Sequence, residues 1–301
     1  MDIQKLRNAL SGLSVTTATP FTENLEEIDA KGLEMNLDYL QENGIRFVVP
    51  CGNTGEYYSL SEDEWKQVVE VTLSTVGSKM TVMPGIGGSI GTAKRQMDYA
   101  EFQGADMAMV MYPQHVFSSE EGFLNYCHDI LDSAGNIGIV LYKRGPLLSD
   151  GVLSALAGHK RLVGVKYAFG RIVDFARSVQ TVGKNIVWSC GTAERFAPFF
   201  WLAGAHGFTS GLGNFAPEVS LSMHDSLVEE DLSKAMRIQH MISELEYLRE
   251  ERGAANNVPV IKAGLDHVGL VGGDCRPPIH PLSDAERKRV VEVIQQWDAE
   301  H

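Results

Sequence analysis

Short apolar runs alternate with segments of helical spacing along most of the 301-residue chain. Residues 13–17 form a first strand candidate. In residues 29–42, Leu33, Leu37 and Leu40 recur at the spacing of one helix face. Phe47, Val48 and Val49 make a second strand. Ser61, with Glu62, Asp63 and Glu64 behind it, reads as a capping box, so a helix is predicted over 65–76. The alternation continues with strands at 80–84, 107–111, 137–141, 162–165, 186–189 and 207–210. The helices between and after them fall at 92–103, 119–133, 149–157, 172–182, 193–203 and 218–229.

These strand candidates are apolar throughout, not at every second position, which argues for strands covered on both faces as in a parallel sheet. Eight strand–helix repeats fit a (β/α)8 barrel over residues 1–230. A doubly wound sheet shares the alternation and is the competing fold. Residues 231–301 read as an appended C-terminal helical segment, with helices at 233–252, 258–270 and 283–297. The turn Arg276-Pro277-Pro278-Ile279 separates the last two.

Composition adds limits. Hydrophobic residues are 44% and charged residues 22% of the chain, an ordinary globular balance. A chain of this length buries roughly 75% of its unfolded surface, so folding requires neither disulfide nor metal. The net charge of −13 repels nucleic acid and anionic lipid at long range. Cys51, Cys127, Cys190 and Cys275 form no CxxC pair or zinc-like cluster, as expected of free thiols in a reducing cytoplasm. The nine histidines make no HExxH or other ligand pattern, so no metal is expected. No run approaches the ~18 apolar residues of a membrane span, and residues 1–9 lack the apolar centre of a signal peptide.

Candidate chemistry falls after the strands, where barrel enzymes place it. Gly52-Asn53-Thr54-Gly55-Glu56 follows the second strand. Its glycines permit a tight loop whose N–H groups suit a carboxylate or phosphate, and Thr54 adds a hydroxyl. A plain strand-to-helix turn would look the same. Tyr142 closes the fifth strand; it is either a proton carrier or an aromatic packing the rim. Lys166 ends the sixth strand. An ordinary lysine has about one free amine in 2,500 at pH 7, but a dry pocket lowers its pKa by up to ~3–5 units and makes a usable nucleophile. The alternative is a lysine snorkelling to solvent. All three point into one barrel mouth, which carries the argument further than any one alone. The glycines around Gly85–Gly91 have the wrong spacing for a dinucleotide loop and are expected at the rim. Gly191, Ser210 and Gly211 follow strands seven and eight and leave room for substrate. Lys262, in a late helix, is expected at the surface or in packing, and Cys190 as a small filler.

Together, Gly52-Asn53-Thr54-Gly55-Glu56, Tyr142 and Gly164-Val165-Lys166 resemble the dihydrodipicolinate synthase / N-acetylneuraminate lyase superfamily. The likeness runs from Val15 to Pro278. It implies a cofactor-free class I aldolase mechanism, usually in a homotetramer. Lys166 would form an imine with a 2-keto acid, the Asn53 and Thr54 amides would hold its carboxylate, and Tyr142, oriented by Thr54, would move protons. Synthases of this superfamily carry an arginine where this chain has Leu147, and a tyrosine where it has His115. N-acetylneuraminate lyases usually have serine or threonine at Asn53. Gly55-Glu56-Tyr57-Tyr58-Ser59-Leu60, Tyr142-Lys143-Arg144 and the stretch from Ser210 to Glu218 are more similar to 5-dehydro-4-deoxyglucarate dehydratases, with Lys143 in place of asparagine. Arg144 is then a candidate for a distal carboxylate, or a surface residue of the rim. The expected function is a lyase that dehydrates a keto-deoxy sugar acid such as 5-dehydro-4-deoxyglucarate, with decarboxylation as an optional second step. The alternatives are a synthase condensing pyruvate with an aldehyde, and a non-catalytic keto-acid sensor.

Overall fold

The computed structural model describes residues 2–299. Its sheet contains nine hydrogen-bonded parallel segments: β1 (Leu13–Val15), β2 (Phe47–Val48), β3 (Thr81–Val82), β4 (Gly85–Ile86), β5 (Met107–Val110), β6 (Gly138–Lys143), β7 (Leu162–Tyr167), β8 (Val187–Cys190) and β9 (Gly207–Ser210). β3 and β4 are two halves of one stave. The first half pairs with β2 and the second with β5. Between them Met83 N–H donates to Val48 O and Met109 N–H to Pro84 O, at 3.1 and 2.9 Å. β1 pairs with β9. The eight staves therefore close into the expected (β/α)8 barrel.

Every residue of β5 to β9 is buried, as two-sided cover requires. Two ladders run further than their apolar residues. β6 and β7 were expected to stop at 141 and 165, yet pairing continues through Tyr142↔Lys166 and Lys143↔Tyr167. Polar side chains masked the strand ends, but alternation still sorts them. Lys166 and Tyr142 line the interior cavity. Tyr167 packs outward against Phe175 and Trp188, with ring centroids 5.0 and 6.2 Å away.

One helix was not foreseen. α1 (Ile3–Leu10) is capped by Asp2, which accepts from Gln4 and Lys5 N–H. It buries Leu6 and Leu10 across the N-terminal end of the barrel. Gly138 and Gly164 make that plug possible: a Cβ there would lie 2.5 Å from Leu6 Cδ1 and 2.6 Å from Leu10 Cδ2.

The connecting helices are α2 (Ala30–Glu42), α3 (Glu62–Val76), α4 (Ile90–Gln103), α5 (Glu120–Ser133), α6 (Asp150–Leu156), α7 (Ile172–Val182), α8 (Ala197–Leu202) and α9 (Pro217–Val228). The Ser61–Glu64 capping box opens α3 as expected. α8 starts four residues late, after left-handed Ala193 (φ 63°) and with a proline in its first turn. α10 (Leu232–Ala254), α11 (Asn257–His267) and α12 (Asp284–Ala299) follow. Glu251, Arg252 and Gly253 leave helical geometry, breaking the end of α10. These helices share one continuous apolar core with the barrel, from Leu6 to Trp297.

Candidate active site

Lys166 lies at the C-terminal end of β7 and is 5% exposed. Its Nζ donates to Thr16 Oγ1 at 3.4 Å and sits 4.7 Å from the Tyr142 ring centroid. Among the described residues it forms no ion pair. Burial, then the Arg144 charge, bring its pKa from 10.5 to about 7, with the neighbouring Cys190 acting weakly the other way. The Tyr142 ring favours the ammonium by about 2 kcal/mol, yet the balance with burial and Arg144 still lowers the pKa. About half the side chain is then free amine at neutral pH.

Tyr142 is also buried, and burial raises the pKa of its phenol. Its Oη accepts from Asn53 Nδ2 at 3.1 Å. The expected contact from Thr54 to Tyr142 is absent among the described residues; the longer amide of Asn53 makes the bond. The loop itself turns through left-handed Cys51 and Glu56, φ 54° and 55°. Glu56 and Tyr57 spend their N–H groups on Asn53 O and Gly52 O. The N–H groups of Asn53 and Thr54 have no partner among the described residues, which keeps them open to an anion.

A buried strut ties this loop to the C-terminal segment. Lys262, expected at the surface or in packing, is wholly buried and pairs with Glu56 at 2.7 Å. It also donates to Asp274 O at 2.9 Å and lies over the Phe21 ring. The other Glu56 oxygen accepts the Arg276 N–H at 3.0 Å, and the Arg276 guanidinium pairs with Glu64 at 2.6 Å.

Lys166, Tyr142, Thr54, Asn53 and Arg144 line a cavity of about 320 Å³, with Gly191, Ser210 and Gly211 completing the expected side. Two expected residues lie elsewhere. Gly52 packs behind the loop, where a Cβ would meet Thr16 Cγ2 at 2.6 Å. His115 is exposed on the loop after β5 and borders Phe117, because that loop turns outward. Lys143 also points away from the cavity, over the Tyr167 ring and onto Leu148 O. All four cysteines are buried and free. No group of three His, Cys, Asp or Glu among the described residues is placed to hold a metal, and none of their helices is long and apolar enough to cross a membrane.

The opposite wall was invisible in the sequence. Arg195, Glu246, Arg249, Glu250 and Asn257 come to the cavity from the loop before α8 and from α10 and α11. Arg249 pairs with Glu246 at 2.6 Å and Arg195 with Glu250 at 2.5 Å. Arg249 also donates to Asn257 Oδ1 at 3.1 Å. These pairs leave Arg144, exposed at the rim, as the lining arginine with no ion pair among the described residues. The i,i+3 spacing of Glu246 and Arg249 was readable, but their direction was not.

A parallel barrel with a depressed-pKa lysine inside its mouth, in register with a buried tyrosine, is the architecture of an aldolase-type lyase. Residues 9–297 match the dihydrodipicolinate synthetase family, and the chain belongs to that family and is a lyase of its aldolase type. It is 30% identical over 302 residues to a Bacillus subtilis (strain 168) protein named "Probable 5-dehydro-4-deoxyglucarate dehydratase", covering 98% of this chain and 96% of that one. It is also 30% identical over 294 residues to a 4-hydroxy-tetrahydrodipicolinate synthase of Methanospirillum hungatei JF-1, covering 95% and 99%. Among solved structures, the dihydrodipicolinate synthase from Oceanobacillus iheyensis superposes with a TM-score of 0.95 at 36% identity, covering 99% of this chain and all of that one. That from Bacillus clausii gives 0.94 at 37%, covering 97% and 99%.

Proposed function

We propose that the protein forms an imine through Lys166 and dehydrates a keto-deoxy sugar diacid such as 5-dehydro-4-deoxyglucarate, with loss of carbon dioxide as a further step. The observation that carries this reading is the buried Lys166, its pKa lowered to about 7, facing Tyr142 in a cavity whose rim holds Arg144, without an ion pair among the described residues. In this mechanism the Lys166 amine attacks the 2-keto carbon, and water leaves as the imine forms. The open N–H groups of Asn53 and Thr54 receive the adjacent carboxylate. The protonated imine withdraws electrons, so the neighbouring carbon gives up a proton, with Tyr142 as the carrier. The resulting enamine expels the hydroxyl one carbon further on. Hydrolysis frees Lys166 for another cycle. Arg144 pairs with the far carboxylate, for which a forked guanidinium is suited. No metal or organic cofactor enters this chemistry.

The second reading, condensation of pyruvate with an aldehyde, draws on the synthases among the relatives. The Leu147 position, the outward His115 and the free cation of Arg144 favour the diacid. Exposed Val173, Phe199 and Leu202 on α7 and α8, and Val116 and Phe117 beyond β5, offer two separate apolar faces, as a homotetramer with two kinds of interface requires. The four free thiols fit a reducing cytoplasm.

Borohydride reduction in the presence of pyruvate, and separately of 5-dehydro-4-deoxyglucarate, tests the reading. A mass adduct on Lys166 that is lost in Lys166→Ala is expected, together with water release from the diacid. Adducts without turnover of either substrate pair would favour a keto-acid sensor, and no adduct in folded protein would remove the imine.

A further inference from the structure

One wall of the cavity holds hydrogen-bonding capacity that no step above uses. It stands where the loop before α8 meets α10 and α11, and it carries Arg195, Glu246, Arg249, Glu250 and Asn257. Arg249 and Glu246 are buried together and pair at 2.6 Å. Arg249 bonds Glu246 through Nη1 and Asn257 Oδ1 through Nη2. Its Nε has no hydrogen-bond partner among the described residues. Arg195 Nη1 stands 2.5 Å from a carboxylate oxygen of the half-exposed Glu250, yet that nitrogen too makes no hydrogen bond among the described residues. The Arg195 guanidinium lies over the Tyr247 and Phe196 rings, 4.5 and 5.1 Å from their centroids, and these contacts hold its place.

The wall therefore lacks acceptors, not counter-charge. Each guanidinium already faces a carboxylate, so the two pairs are neutral together. A further carboxylate placed here would meet the repulsion of Glu246 and Glu250. A hydroxyl brings no charge; it accepts from an arginine N–H and turns its own proton onto a carboxylate oxygen. Buried donors without a partner are uncommon in folded proteins, and a ligand oxygen would supply what these two lack. Two glycines mark the way from the lysine to this wall. A Cβ at Gly191 would meet Lys166 Cγ at 2.9 Å, and one at Gly211 would meet Arg249 Nη2 at 2.7 Å. They follow the neighbouring strands β8 and β9, whose spacing is about 5 Å. A chain fixed on Lys166 thus reaches the wall within a few carbon–carbon bonds.

We propose that the pairs Arg195–Glu250 and Arg249–Glu246 form a hydroxyl-reading subsite, which selects a hydroxylated keto diacid over the same chain without hydroxyls. The inference rests on the reading of the substrate as a keto-deoxy sugar diacid and assigns the part of it that each arginine meets. Arg144 takes the far carboxylate, and the paired wall takes the hydroxyls between that carboxylate and the imine carbon. Pyruvate has no hydroxyl to offer and makes no use of the wall.

The test measures borohydride trapping on Lys166 as a function of ligand concentration. The two ligands are 5-dehydro-4-deoxyglucarate and 2-oxoadipate, the same six-carbon keto diacid without its two hydroxyls. All Lys166 adducts are counted, intact or dehydrated. The parent should reach half-saturation with the hydroxylated diacid at a roughly 10- to 100-fold lower concentration, as one hydrogen bond to a charged group provides. Arg195→Gln should close much of that gap by weakening the hydroxylated diacid alone. Glu246→Leu/Arg249→Met, which removes the buried pair as a unit, should do the same. Arg195→Gln leaves only the half-exposed Glu250 unpaired, so it reads the subsite even if the double variant does not fold. Arg144→Ala, by contrast, should weaken both diacids alike. Equal half-saturation of the two diacids in the parent, or an Arg195→Gln variant that weakens both by the same factor, would overturn the subsite. Adducts of the hydroxylated diacid without release of water would sink the dehydratase reading alone, because the ratio between the two ligands still judges the wall.

Discussion

Holding Lys166 neutral costs the folded protein stability, and Lys166→Met should recover it. A fall in pKa from 10.5 to about 7 corresponds to about 5 kcal/mol. Between those two values the unfolded chain binds more protons at this site than the folded one does. Stability therefore rises with pH across that window, and the full cost is felt below pH 7. Methionine has a similar length, carries no charge and suits an apolar wall. The bond it gives up, to Thr16 at 3.4 Å, is long and weak. The variant should be more stable by up to about 5 kcal/mol at pH 6.5, by roughly half that near pH 8.8, and by nothing near pH 10.5. Urea unfolding at matched protein concentration measures this directly, since any assembly links stability to concentration. A variant no more stable than the parent at pH 6.5, or one whose advantage does not shrink with pH, would refute the reasoning. The same substitution should abolish the proposed imine, so that stability and activity would trade against each other at one residue.

Three further outcomes are expected. Tyr142→Phe should lower turnover by roughly 100- to 10,000-fold while far-ultraviolet circular dichroism and melting stay near the parent's. Lys262→Ala strands Glu56 in the core and should cost about 3–5 kcal/mol; the double variant Glu56→Gln/Lys262→Met should recover most of the melting temperature. Arg144→Ala should raise KM for the diacid and leave pyruvate trapping intact. Because Arg144 is the second cause of the lowered Lys166 pKa, the same variant should move the midpoint of the trapping rate upward in pH, and an unmoved midpoint would exclude that charge from the site.

The sequence by itself determined the barrel and one side of the cavity at its mouth. Continuous apolar runs are the signature of strands covered on both faces, and that pattern is local. Lys166, Tyr142 and the Asn53–Thr54 loop were legible for the same reason: each follows a strand, and all strands of a parallel barrel deliver their ends to one rim. What the tertiary structure decided depends on direction and on distant partners. The plug α1 is amphipathic but only eight residues long, too short to stand out among longer helices, and its place follows from the gaps left by Gly138 and Gly164. The outward turn that takes His115 from the cavity is a property of one loop's path. Lys262 gave no sign in sequence of meeting Glu56, more than 200 residues earlier, and a buried lysine is tolerated only because that partner arrives. Likewise Glu246, Arg249 and Asn257 reach the cavity from α10, which breaks at Glu251–Gly253, and from α11 behind that break, and Arg195 meets them there from the loop before α8. Periodicity reports which face of an element is apolar; which neighbour meets that face is set by packing of the whole chain, and half of this site was decided there.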